Sequence, residues 1–319
     1  MHPERVINAD EVVSGLDFNL LGRAADSQRA LAYARLCFPD GTDWHQRVLA
    51  LHLATMFALD DALECGRPLG SAADEQRTLL PWREAPSGVE CAQAFASRAP
   101  IRAAIAHVER QLASTAYESP HCAPRSADDS WPPHSAMQWW REQGELMVAA
   151  VWQEAHWRSS GILPDEGAYL AVAETSIGIP WIVATLLVLD GTAVAPLLGS
   201  TAMAATAALA AAIRLANDLH ETRRERREGK VQLLFLRTRA LQSLGYPARS
   251  AERRARHELQ VMLGQRVTRV RALLDDPQWS GSPRLRAGFH GMLSAALALI
   301  HMHESAAPRT MAAAAQPRS

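Results

Sequence analysis

Cysteine is rare in this chain of 319 residues: Cys37, Cys65, Cys91 and Cys122 are widely spaced and form no CxxC pair. That spacing excludes a disulfide-stapled scaffold and a thiolate metal cluster, and it suits a reduced, cytoplasmic protein. Neither sign of charge is in excess, with 33 Lys plus Arg against 34 Asp plus Glu and a net of −1. No global field therefore draws the chain to nucleic acid or acidic membranes, and any basic patch acts locally. Lysine is scarce beside arginine, whose forked guanidinium suits anions. Alternating runs of β-branched residues are missing, so nothing reads as a strand. The amino end, MHPERVINADEVV, lacks a basic stretch leading into an apolar run, and no secretory signal is expected. Gly191 to Ile213 is long enough to span a bilayer but is mostly Ala and Thr, interrupted by Pro196 and Gly199. It reads as a loop followed by a core helix, not as a membrane span.

What is present is helix. Hydrophobic residues make up 48% and charged residues 21%, enough to build a large core. Apolar residues at helical spacing predict helices over 26–38, 43–64, 87–116 with an interruption near Pro100, 135–159, 165–189, 201–228, 231–245, 248–276 and 283–303. Tyr117 to Ser135, rich in Pro, Ser and Asp, reads as an irregular loop, so its Asp128 and Asp129 are not helix-borne ligands. The expectation is an all-α helical bundle around an apolar cavity. One domain is expected over 26–305, with an extension over 1–25 and a disordered tail over 306–319.

Two oxygen-rich stretches stand out on these helices. In MFALDDALECGRP, Asp60 and Glu64 lie four apart on one face with Asp61 beside them, at the end of an otherwise apolar helix. Like charges there repel, and a helix carboxyl end disfavours them, so a positive partner is required. In LANDLHETRRE, Asn217, Glu221 and Glu225 fall at successive steps of four, following a run of alanines. A solvated acidic face explains either stretch alone about equally well. Two such patches on separate buried helices are what Mg²⁺ needs: hard oxygen ligands with coordination left open for a phosphate. Arg214 shares the face of Asn217 and Arg224 precedes Glu225, so both are placed to reach an anion that the metals bridge. The arginines have no interleaved aromatics, which argues against nucleic acid.

DDALE resembles the DDxxD/E motif of class I terpene synthases, and NDLHETRRE is similar to their second metal motif, NDxx(S/T)xxx(E/D). EAHWRSSGILPDEGAYL resembles the junction of two central helices in bacterial members, so the resemblance runs from about Asp26 to His303. YLAVAETSIGIP and RLANDLH are similar to stretches of bacterial kaurene-synthase-like diterpene synthases. The resemblance implies a class I terpenoid synthase fold holding three Mg²⁺ ions, with Asp60, Asp61 and Glu64 in one ligand set and Asn217, Glu221 and Glu225 in the other. Arg224 takes the place of the basic residue that contacts diphosphate. It implies a prenyl diphosphate substrate, a C20 one (geranylgeranyl or copalyl diphosphate) by the looser match, with farnesyl diphosphate and a sesquiterpene product as the alternative. A second copy of the chain, as a homodimer, is the one macromolecular partner kept open. Three departures stand against the family pattern: Glu221 replaces a hydroxyl residue, Glu174 stands where many bacterial members carry a diphosphate-sensing arginine, and HMHES replaces a terminal Arg-Tyr pair.

Ionising an allylic diphosphate leaves a carbocation that must be kept from water by an apolar cavity. Met56 and Phe57, one turn before Asp60, are expected to point inward, and Trp152, Trp157 and Trp181 are further cation-facing candidates, with ordinary core packing the alternative for each. In SIGIP, Pro180 has no N–H for the carbonyl of Ser176, and Gly178 lets the chain bend. A kink there would turn carbonyl dipoles toward a cation, or merely turn a helix. No DxDD-type protonating motif and no second helix-borne DDxxD is present, which disfavours copalyl diphosphate formation and chain elongation. A non-catalytic helical binding protein is the reading from a different class.

Overall fold

The structure is a computed structural model, which describes residues 24–65, 69–84, 89–118, 135–194, 197, 200–220 and 229–306. These residues form eleven α-helices and no strand: α1 (Ala24–Cys37), α2 (Asp43–Cys65), α3 (Ala72–Leu79), α4 (Val89–Glu118), α5 (Ala136–Ser160), α6 (Glu166–Ser176), α7 (Ile179–Asp190), α8 (Thr201–His220), α9 (Leu233–Ser243), α10 (Ala248–Leu274) and α11 (Pro283–Ala306). The all-α fold read from the sequence is the fold observed.

Two helices lie inside the others because they are apolar all round. In α7, Trp181, Val183, Ala184, Leu186, Leu187 and Val188 are buried, and the helix packs against α2, α4, α5, α8 and α11. In α8, Ala205, Leu209, Ala210, Ala212 and Leu215 are buried among α6, α7, α9, α10 and α11. The stretches Glu166–Asp190 and Thr201–His220 are long and apolar enough to cross a membrane, yet most of each is enclosed by the rest of the chain. Helix α2 is enclosed on every side from Val48 to Met56 and opens on one side beyond it, where Leu59 and Leu63 still enter the core. Helix α11 crosses α1 so closely that a Cβ on Gly291 would lie 1.7 Å from the Leu36 carbonyl oxygen.

Three differences from the expected elements have local causes. The helix expected over 165–189 is two helices, separated at Gly178, which adopts a φ of +73°. Pro180 sits in the first turn of α7, where its missing N–H costs that helix no hydrogen bond of its own. Conversely, no interruption occurs at Pro100, and α4 runs through it. Ile101, Ile105, Val108 and Leu112 are buried beyond the proline, and this burial outweighs the ~3 kcal/mol that proline costs an unsupported helix. Helix α3 was not expected, although the signal was there: Ser71 accepts from the Asp74 N–H at 3.1 Å in an S-x-x-D pattern. Helix α8 is described to His220, so the part of the predicted helix over 221–228, like the loop 119–134 and the end segments 1–23 and 307–319, lies outside the described residues.

An aromatic knot fills the space between α2, α5 and α7. The Trp140 indole N–H donates to Thr185 Oγ1 at 3.0 Å, and Thr185 Oγ1 lies 2.7 Å from His52 Nδ1. The His52 ring meets Trp181 edge-on at 4.5 Å, and Trp181 lies 5.3 Å from Trp140. Burial pushes the His52 pKa down to about 3, so it stays neutral in the folded protein.

Two measurements test this core. His52 takes up a proton below pH ~6.5 once unfolded but not when folded, so its contribution is full above pH ~6.5 and is lost as pH falls toward 3, at up to ~1.4 kcal/mol per unit. In urea titrations from pH 7 to 4.5, His52→Gln is expected to flatten the decline in stability; equal slopes would contradict the assignment. Gly291→Ala is expected to lower stability by ~1–3 kcal/mol through the forced separation of α1 and α11. Gly264→Ala, whose Cβ meets nothing within 4 Å, should instead raise it by ~0.5–1 kcal/mol in thermal denaturation.

Candidate active site

In the last turns of α2, Phe57, Asp60 and Asp61 share one accessible face, flanked by half-buried Ala58 and Ala62. Phe57 is 38% exposed and Asp60 and Asp61 are half-buried, whereas Met56 is 4% exposed and Leu59 and Leu63 are enclosed. Residues 57, 60 and 61 are three and four apart and so share a face, while Met56 is rotated by about 100° from Phe57. Met56 is therefore packed inside, while Phe57 stands on the accessible face with the two aspartates. Glu64 lies within the helix; its side chain is outside the described residues, as are Glu221, Arg224 and Glu225.

On α8, Asn217 is half-buried in the last turn, between enclosed neighbours. Arg214, one turn earlier, was expected at a diphosphate. It is instead buried at 7% exposure and engaged along its whole guanidinium. Its Nε donates to Asp218 Oδ1 at 3.0 Å and to the Tyr169 hydroxyl at 3.0 Å, Nη2 also donates to Tyr169, and Nη1 lies 3.4 Å from Glu154 Oε1. The reason is local: Asp218 is four residues on and shares the face of Arg214, so the pair turns inward together. Burial raises the Asp218 carboxyl above its ordinary value, while Arg214, the Tyr169 hydroxyl and the Leu233 N–H oppose the shift.

The break between α6 and α7 lies between these two helices in the contact network. Met56 of α2 and Met147 of α5 fill the space beside Gly178: a Cβ there would lie 2.0 Å from Met56 Cε and 3.0 Å from Met147 Sδ. Two residues earlier, the buried Ser176 hydroxyl donates to Glu154 Oε1 at 2.8 Å, the same oxygen that faces Arg214. Contacts thus run continuously from the turn before Asp60, through the break, to the turn before Asn217. The Ser176 carbonyl has no helical donor, because position 180 is proline. Glu174, standing where the resemblance places an arginine, is half-buried; burial raises its carboxyl, and Arg266 acts against the shift.

The tryptophans divide differently from the expectation. Trp181 is fully enclosed by His52, Trp140 and the backbone of Gly144, where a Cβ would come within 3.0 Å of its ring, so it packs the core and lines no open surface. Trp157 is also buried. Trp152 is half-buried and stacks flat on His156 at 5.3 Å, which occupies one face of its ring. Among the described residues the accessible aromatic beside the carboxylates is Phe57.

Asp60, Asp61 and the Asn217 amide offer oxygen donors of the kind a hard divalent cation takes, half-open to solvent at the ends of buried helices. Among the described residues no three His, Cys, Asp or Glu side chains cluster tightly enough to hold a metal by themselves. The donor chemistry fits a hard divalent cation such as Mg²⁺ shared with a second, anionic ligand. Tyr169, Glu154 and Asp218 were not singled out from the sequence. The i, i+4 spacing of Arg214 and Asp218 was a legible signal for a pair, but nothing local announced Tyr169 and Glu154, which reach α8 from other helices.

Residues 53–238, more than half the chain and spanning both motifs, match the family described as terpene synthase family 2, C-terminal metal binding. No curated protein matches the chain in sequence. Among solved structures, the linalool/nerolidol synthase of Streptomyces clavuligerus, in complex with 2-fluorogeranyl diphosphate, aligns with a TM-score of 0.61 at 16% identity over 91% of each chain. The 2-methylisoborneol synthase of Streptomyces coelicolor A3(2), in complex with Mg²⁺ and geranyl-S-thiolodiphosphate, aligns with a TM-score of 0.60 at 17% identity, covering 87% of this chain and 83% of that one. Abietadiene synthase from Abies grandis aligns with a TM-score of 0.62 at 13% identity over 89% of this chain and 35% of its own. By fold and by the family match across both motifs, this chain belongs to the terpene synthase family and is a terpene synthase/cyclase.

Proposed function

We propose that this enzyme ionises a prenyl diphosphate between the exposed face of α2 and the end of α8 and cyclises the resulting carbocation. The observation that carries the reading is the accessible stripe Phe57, Asp60 and Asp61 on an otherwise buried helix, tied through Met56 and the Gly178 break to the helix that presents Asn217. We assign Asp60, Asp61 and Glu64 to one set of Mg²⁺ ligands and Asn217, Glu221 and Glu225 to the other. Three Mg²⁺ ions bound there would neutralise charge on the departing diphosphate.

The protein's own groups supply the rest. Arg224 is assigned to the diphosphate oxygens, a role for which guanidinium forks are suited. Arg214, buried among Tyr169, Asp218 and Glu154, is assigned to holding α8 in place instead of touching substrate. Phe57 offers a ring face to the cation just below the carboxylates. Ser176, whose carbonyl meets a proline where a helical donor would stand, offers a carbonyl dipole to positive charge, and Gly178, whose own carbonyl accepts from the Ile182 N–H at 3.0 Å, supplies the turn. Met56 closes the apolar side of that turn against water.

The substrate reading is C20, geranylgeranyl or copalyl diphosphate, to a diterpene. It rests on the likeness of YLAVAETSIGIP and RLANDLH to kaurene-synthase-like enzymes and on Glu174, an acid that cannot act as a diphosphate-sensing cation. The test is incubation with geranylgeranyl, copalyl and farnesyl diphosphate plus Mg²⁺, followed by gas chromatography and mass spectrometry. A cyclic hydrocarbon or alcohol from a C20 diphosphate is expected, and chelation should abolish it. Asp60→Ala and Asn217→Ala are each expected to lower turnover by at least ~10²-fold with helical circular dichroism unchanged, in line with the loss of a charge-stabilising group. Product from farnesyl diphosphate alone would overturn the chain length, and normal turnover in both variants would overturn the reaction.

A further inference from the structure

Asp218 stands next to a proposed ligand yet belongs to neither ligand set, and it has no solvent exposure. A carboxylate so enclosed is costly unless donors surround it, and here they arrive from three helices. The Tyr169 hydroxyl on α6 reaches both oxygens, at 3.0 and 2.9 Å, Arg214 Nε on α8 reaches Oδ1 at 3.0 Å, and the Leu233 N–H on α9 donates to Oδ2 at 3.1 Å. The last contact is informative. Leu233 is the first residue of α9, and its N-cap residue, Gln232, makes no side-chain capping bond. Asp218 supplies from another helix the acceptor that a capping side chain ordinarily provides, at the end where the helix dipole favours negative charge.

The topology gives this contact a consequence. The chain that carries Glu221, Arg224 and Glu225 departs from the last turn of α8 and returns at the first turn of α9. Asp218 joins those two turns, and it directly follows Asn217. Resting on the reading of the site given above, we propose that Asp218 is a positioning residue for Asn217, clamping the end of α8 to the start of α9 with Tyr169 and Arg214 as its supports.

Asp218→Asn keeps the shape but turns one acceptor into a donor facing Tyr169, Arg214 or Leu233. Tyr169→Phe removes one donor and leaves the carboxylate. In Asp218→Asn the Mg²⁺ concentration for half-maximal activity is expected to rise at least tenfold, and the Leu233 amide to exchange with solvent deuterium at least tenfold faster; Tyr169→Phe should move both in the same direction by less. A folded Asp218→Asn protein with wild-type Mg²⁺ dependence and wild-type Leu233 exchange overturns the proposal, even if its melting temperature has fallen, since that result describes ordinary core packing. Should Asp218→Asn not fold, unchanged values in Tyr169→Phe overturn it equally. If the wild-type enzyme turns over no prenyl diphosphate, the reaction assigned above fails while this clamp is still judged, by Leu233 exchange and by calorimetric titration of Mg²⁺ with inorganic pyrophosphate: weaker binding in Asp218→Asn supports it, and equal binding overturns it.

Discussion

A guanidinium shut away from water must find its counter-charges inside the protein, and Arg214 does so by drawing four helices together. Its partners Asp218, Tyr169 and Glu154 come from α8, α6 and α5, and Asp218 in turn holds the first amide of α9. Breaking a buried pair of this kind by removing one member typically costs several kcal/mol, because the survivor is left charged and unpaired. The ion network therefore fixes how the last turn of α8 is presented. Asn217 stands on that turn, accessible while its neighbours are not.

A second constraint acts on the other side of the site. The α6–α7 break combines a left-handed glycine with a proline placed where its missing N–H costs α7 no hydrogen bond of its own, so the chain turns without leaving a donor stranded. Met56 occupies the space that any side chain at position 178 would need, which ties the break to the turn of α2 just before Asp60. Ser176 then joins the same break to Glu154 and so to Arg214. The apolar contact and the polar one meet within three residues of chain, and together they relate two metal-motif helices that are far apart in sequence.

Much of this was legible beforehand. Helical periodicity located most of the helices, because an amphipathic or wholly apolar helix leaves its imprint in the order of residues. That Asp60 and Asp61 emerge at the end of a buried helix followed from the apolar run before them. What escaped the reading was set by tertiary partners. Pro100 interrupts nothing because burial of the helix beyond it outweighs a local penalty, and Arg214 faces inward because Tyr169 and Glu154 wait there on other helices. Trp181 likewise looks identical in sequence to a cavity aromatic, and only the packing of His52, Trp140 and Gly144 around it reveals a core residue. Helix α3 is the contrary case, since its Ser71 cap was visible in the sequence and went unused.

The central claim is that the faces of α2 and α8 converge on one anion. The most direct measurement is a crystal structure of the protein with Mn²⁺ and inorganic pyrophosphate, with the metals located by anomalous scattering. The account predicts Mn²⁺ ions ligated by Asp60 or Asp61 and by Asn217 around a single pyrophosphate. Metal bound at only one helix, or at the two helices without a shared pyrophosphate, would contradict it.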